Sequence, residues 1–219
     1  MLTCKGDGTV EGFDRYRVGL NAAAFASDVT FGGGIDPYIE RRAVTATFDV
    51  HPGLASTLSF GAGVGLGGRL AFMDHALPVR ETIDPGWLVT FAWSQRLVDG
   101  LGKKPFVLVS LSAGASGAGT HATAPAAAGP TEQLYAFDVR GGVTVGKTFF
   151  QTLSPYAAAR IFGGPILWTY RGKSELGTDQ RHVQLAVGMV TRLPAGFDAF
   201  AEVAPAFERG VTVGAGRSF

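Results

Sequence analysis

The chain ends Gly210-Val211-Thr212-Val213-Gly214-Ala215-Gly216-Arg217-Ser218-Phe219, and this stretch decides the fold. Val211, Val213, Ala215 and Phe219 fall on one face at period two, interrupted only by Arg217. Gly210, Thr212, Gly214, Gly216 and Ser218 fall on the other face, and none of them is large. Successive side chains of a strand point to opposite sides, so this is a strand with one oily face and one small, polar face. Such a strand suits a wall with lipid outside and a narrow wet lumen inside.

The same alternation recurs upstream. Ten segments are expected as strands: about 15–26, 40–50, 54–70, 86–97, 105–116, 133–147, 155–163, 181–193, 197–206 and 209–219. Their oily residues keep period two, as in Leu58, Phe60, Ala62, Val64 and Leu66, or Trp87, Val89, Phe91 and Trp93. The opposite faces carry Thr57, Ser59, Gly61, Gly63 and Gly65, and Thr90, Ala92 and Ser94. A soluble all-β binding protein would place Lys, Glu and Asp at many of these positions. Connections alternate between short ones (51–53, about 98–104, about 148–154, 194–196) and longer ones (about 27–39, 71–85, 117–132, 164–180). That asymmetry is the pattern of transmembrane barrels, with the short turns periplasmic. The count falls to eight if two segments are loops.

Composition agrees. Charged residues are 17% of the 219, against about 25% in ordinary soluble domains. Glycine numbers 32, and 16 Phe with 3 Trp argue against disorder. Nineteen Lys and Arg nearly balance eighteen Asp and Glu, which removes any composition-level case for nucleic-acid binding. The lone Cys4 excludes an internal disulfide and a cysteine-based zinc site. No apolar run reaches the roughly 18 residues of a transmembrane helix. No leader is visible, so the chain is read as a mature form, with residues 1–14 a periplasmic segment and 15–219 one barrel.

An alternating terminal strand closed by Phe219 resembles the last strand of the small outer-membrane β-barrels of Gram-negative bacteria. The likeness spans about residues 10–219 and is architectural, selecting no subfamily. It implies an all-β, antiparallel up-and-down barrel of about ten strands in the outer membrane, with both termini periplasmic. It also implies contact with outer-membrane lipid and lipopolysaccharide, and Phe219 as the signal read by the barrel assembly machinery. A partner protein of an envelope complex fits the same resemblance.

Several chemical motifs match only as strings. Gly141-Gly142-Val143-Thr144-Val145-Gly146-Lys147-Thr148 fits the phosphate-binding loop, but that loop must open a helix. Here it is itself a period-two strand, and Pro155 follows too soon for a helix. Gly63-Val64-Gly65-Leu66-Gly67-Gly68 fits the dinucleotide fingerprint, yet no helix begins there and Arg69-Leu70-Ala71-Phe72 is expected to continue the alternation. Ser116, in Gly114-Ala115-Ser116-Gly117-Ala118, lacks the second glycine of a nucleophile elbow. His51, His75, His121 and His182 show no metal spacing, and no cofactor is expected. Asp74 with His75, and Asp179 with His182, fall near the loop rim and define an alternative: an enzyme with an acid–histidine site there.

The stronger constellation lies on the inward face: Arg15, Arg17, Asp49, Arg96, Asp138, Arg140, Arg160, His182, Arg192 and Glu202. Charges enclosed in a membrane barrel must pair or line water. Six arginines against three carboxylates suggest a salt-bridged filling with a positive excess, and at most a small anion-leaning pore. The primary expectation is a non-enzymatic barrel, structural or part of an envelope complex. The strand reading of 141–148 also predicts that the protein binds no nucleotide. Equilibrium titration with ATP should show no saturable uptake; uptake abolished by Lys147→Ala would overturn the assignment.

Overall fold

The computed structural model describes residues 14–74, 77–100, 104–123 and 131–219. Most of the expected N-terminal segment, 1–13, lies outside them. Twelve strands follow one another: β1 Tyr16–Phe31, β2 Tyr38–Gly53, β3 Ser56–Asp74, β4 Leu77–Asp99, β5 Phe106–Ala122, β6 Glu132–Gly146, β7 Leu153–Gly163, β8 Ile166–Tyr170, β9 Lys173–Asp179, β10 Val183–Arg192, β11 Phe197–Phe207 and β12 Arg209–Ser218. All pairings are antiparallel, and β12 returns to pair with β1 from Arg17↔Ser218 to Ala26↔Arg209. The ladder reaches the last residue, since the Phe219 amide donates to the Tyr16 carbonyl at 3.0 Å. The sheet is a closed barrel.

Ten strands make the wall at the end that carries the termini: β1 to β7 and β10 to β12. The loop end is built differently. β6 pairs first with β7 and, further along, with β8. β7 and β8 are one path broken at Gly163-Gly164-Pro165, where Pro165 lacks a ladder donor and its carbonyl accepts from the Phe137 amide at 3.0 Å. The chain turns through Arg171 and Gly172, both at positive φ, and β9 comes back to pair with β1 at Val29–Phe31. β9 thereby passes over the tip of the short β11–β12 hairpin. The ring at the loop end is β1 to β6 with β8 and β9, eight strands instead of ten. The expected long connection at 164–180 is thus mostly a hairpin that closes the wall. Likewise 71–74, 77–85 and 117–122 are strand extensions rather than loops, as are the two ends of 27–39, while 124–130 lies outside the described residues.

The outward face carries the oily residues. Val211, Val213, Phe91, Leu111 and Leu185 are all exposed, along with Phe60, Val64, Trp87, Val143 and Val187. An unbroken belt of this kind is satisfied by hydrocarbon, not by water. Tyr16 stacks on Phe48 at 5.9 Å and leans on Phe219 at 6.1 Å at the terminal edge of the belt.

One departure from strict alternation reshapes the interior. β3 and β4 both slip between the pairs Gly65↔Gly86 and Gly68↔Ile83. Leu66-Gly67 and Asp84-Pro85 bulge there, and Gly67 takes a φ of +96° that a side chain would strain. Beyond the bulge the faces swap. Leu70 and Phe72 turn inward with Ile83, where period two carried on from Leu66 would put Leu70 and Phe72 in lipid. The expectation that 69–72 simply continues the alternation is corrected by this bulge.

Leu111 faces outward midway along β5, so Leu111→Arg should destabilise the barrel by about 2–4 kcal/mol. Reversible denaturant unfolding in lipid vesicles measures this, with Ser112→Arg on the inward face expected to behave differently.

Candidate functional site: the lumen

Each strand delivers its inward side chains at every second residue, and three arginines tie different strands together. Arg17 on β1 donates from Nη1 to Asp49 Oδ2 on β2 at 2.8 Å. It also donates from Nε and Nη2 to both oxygens of Asp198 on β11, at 2.8 and 2.6 Å. To reach β11 it must cross β12, and it does so over Gly216, where any Cβ would collide with the guanidinium. Arg160 on β7 forks onto Glu202 of β11, at 2.7 and 2.6 Å, and also donates to Gln184 Oε1 of β10 at 2.8 Å. The Tyr156 hydroxyl donates to the same Glu202 carboxylate at 2.9 Å. Arg140 on β6 joins Asp138 and, at 2.9 Å, Glu208 at the tip of the β11–β12 hairpin. Its guanidinium lies 4.9 Å over the buried Phe162 ring.

Above these clusters, in the eight-stranded part, the lumen is mostly apolar, with Glu81 and Thr120 as buried polar members. Val29, Phe31, Ile39, Leu70, Phe72, Ile83, Ala118, Leu134, Ile166, Trp168 and Tyr170 form one buried cluster. Trp168 stacks on Tyr170 with centroids 4.6 Å apart, meets Phe31 and Phe72, and donates its indole N–H to Thr120 at 3.1 Å. Eight strands leave an interior that side chains can fill, and here they do. Sequence reading missed this plug. Half of it comes from β8 and from the flipped parts of β3 and β4, where the expected register failed.

The expected lumen residues sort as follows. Arg17, Asp49, Asp138, Arg140, Arg160 and Glu202 make the three clusters. Arg96 lines the terminal-end vestibule with Arg17, Asp49, His51 and Asp198, with Asp99 4.0 Å away. Arg192 ends β10 on the inward register. Arg15 and His182 take no part: Arg15 is exposed ahead of β1, and the exposed His182 ring rests 3.1 Å from the Phe162 carbonyl. Asp198, Glu208, Arg41, Tyr156 and Gln184 were overlooked. Parity with Asp49 and Glu202 would have found Arg41 and Asp198, whereas Glu208 sits in a hairpin that read as a turn. With Asp198 and Glu208 added, five carboxylates stand against the lumen arginines Arg17, Arg41, Arg96, Arg140, Arg160 and Arg192, and the expected positive excess narrows.

The alternative acid–histidine rim does not assemble among the described residues. The Asp74 side chain and His75 lie outside them. Asp179 accepts from the Ser27 hydroxyl at 3.0 Å and makes no ion pair with His182. The pair that does form is His121 with Asp84, at 3.1 Å, on the outward side of β4 and β5 and away from the lumen. Gly141–Gly146 lies within β6 and Gly63–Gly68 within β3, so neither glycine string opens a helix.

No family model and no curated protein matches the sequence. Solved structures do match. The outer membrane protease OmpT from Escherichia coli superposes over 94% of this chain and 97% of its own length, with a TM-score of 0.56 at 6% identity. The fold is that of the outer-membrane β-barrels. The transport unit of the autotransporter AIDA-I from Escherichia coli superposes over 95% of this chain and 91% of its own, with a TM-score of 0.50 at 10% identity. At such identities the likeness is one of architecture and transfers no residue roles.

Removing a tying carboxylate leaves a guanidinium without its charge partner. Glu202→Gln should cost about 2–3 kcal/mol, less than the roughly 3–5 of a fully buried pair, because Arg160 and Glu202 keep 24% and 14% of their side-chain exposure. A lowered heat-unfolding midpoint in detergent is the readout; an unchanged midpoint would mean that solvent replaces the carboxylate.

Proposed function

We propose that this protein is an integral outer-membrane barrel closed to metabolites, acting as a structural element or as a subunit of an envelope complex. One observation carries the reading: the lumen is filled at two heights by different chemistry. Ion-paired arginines occupy the ten-stranded part, and an aromatic plug occupies the eight-stranded part. Porins keep an aqueous channel with about sixteen strands. Any residual conductance here is small, and the balance of carboxylates against arginines gives it little selectivity.

The short turns at the terminal end support placing both termini in the periplasm. The outward belt supports contact with outer-membrane lipid and lipopolysaccharide. The exposed Phe219 ring, held in register by its backbone bonds to Tyr16, is accessible to the barrel assembly machinery. A partner protein would meet the loop-end strand extensions, which rise beyond the belt.

In planar bilayers the wild-type protein should show at most small conductance. Trp168→Ala combined with Tyr170→Ala empties the centre of the plug and should raise single-channel conductance several-fold. Passage of sugars of several hundred daltons through the wild-type barrel would sink the closed-lumen reading.

A further inference from the structure

Between the plug and the ion-pair clusters lies a cavity of about 270 Å³. Its walls are mostly apolar: Phe25, Leu88, Ala43 and Ala115 at the sides, with Leu134 and Ile166 of the plug as its roof. Charged groups reach it from two sides. Asp138, Arg140 and Glu208 line it, but Arg140 already holds both carboxylates. Asp179 lines it too and accepts from Ser27.

Arg41 is different. It stands on the inward face of β2, is only 8% exposed, and lies across β3 and β4 toward β5. Its Nη1 donates to the Ser116 hydroxyl at 3.1 Å. Among the described residues no carboxylate lies within ion-pair distance of it. A guanidinium carries five donors and stays charged, so burying it with one neutral acceptor is expensive. Every other arginine that crosses the lumen interior, Arg17, Arg140 and Arg160, has a carboxylate.

We infer that this cavity is a binding site for a small organic carboxylate with an apolar body, its carboxylate on Arg41 and its body against Phe25, Leu88 and the plug. The inference goes beyond a closed structural barrel: it gives the filled lumen a ligand. Guanidinium suits a carboxylate because its fork matches two oxygens at once. The space is sufficient, since an apolar cavity of about 150 Å³ holds benzene. The mixed lining matches the usual design of small-molecule sites, apolar walls with few placed polar groups.

Calorimetric titration of the detergent-purified barrel with benzoate tests this, with benzyl alcohol as the uncharged control and chloride as the bare anion. Wild type should bind benzoate saturably and at least tenfold more tightly than either control. Arg41→Gln should lose at least tenfold in benzoate affinity while unfolding at the wild-type temperature or above, since it removes an unpaired buried charge. Gly114→Leu should also lose binding while keeping the guanidinium. Gly114 lines the cavity, and a Cβ there meets only ordinary contacts at 3.5 and 3.6 Å, so the new side chain fills the space. Arg41→Gln decides the matter alone if Gly114→Leu does not fold. Absent benzoate binding, equal binding by Arg41→Gln, or equal binding of chloride or benzyl alcohol overturns the inference. So does an unfolding midpoint of Arg41→Gln several degrees below wild type, which would reveal a structural partner for the guanidinium within the protein.

Discussion

Closure of the backbone ladder is the constraint on which everything else rests. A wall with hydrocarbon outside cannot leave an amide or carbonyl row unpaired, so β12 must meet β1. The ten paired positions from Arg17↔Ser218 to Ala26↔Arg209 accomplish this at the terminal end. The β11–β12 hairpin is too short to continue to the loop end, so the upper part of β1 would be left as an open edge. β9 removes that edge by swinging over the hairpin tip to bond Val29–Phe31. The break at Gly163–Pro165 frees the chain to make this crossing.

The change from ten strands to eight then dictates what fills the interior. A wider ring leaves room for long side chains lying flat across neighbouring strands, and arginine reaches across one strand to a carboxylate on the next. Gly216 beneath Arg17 shows the cost on the sequence: the strand that is crossed must surrender its side chain. A narrower ring admits no such reach, and aromatic and aliphatic groups meet at the axis. Arg140 sits where the two regimes join, tied to the hairpin tip through Glu208 and seated on Phe162. The cavity beside Arg41 occupies this same junction, where neither kind of filling is complete.

The barrel was legible because its signal is local and repeated. Period-two alternation with small residues on one face recurs along the wall strands, on either side of the bulge in β3 and β4, and Phe219 closes the last of them. The inward arginines were legible for the same reason, as parity alone placed Arg17, Arg140 and Arg160. The losses have physical causes. Leu70 and Phe72 read as lipid-facing because the bulge at Leu66-Gly67 shifts the register by one residue, and nothing in the oily pattern marks the slip. Glu208 read as a turn residue because a hairpin tip is judged by its backbone, although its side chain points back under β9. The segment 164–180 read as a loop because β8 and β9 are short.

The sequence by itself determined that this chain forms a closed antiparallel barrel with an apolar exterior and charges inside, since alternation depends only on neighbours along one strand. Which carboxylate meets which arginine, and where the faces exchange, depends on register between strands distant in sequence. Arg17 and Asp198 are 181 positions apart and meet only because the ring closes. The eight-stranded upper ring, the aromatic plug within it and the unpaired Arg41 facing a cavity were decided by tertiary structure alone. Each arises from the mismatch between two strand counts in one wall, a property of the closed ring that no single strand encodes.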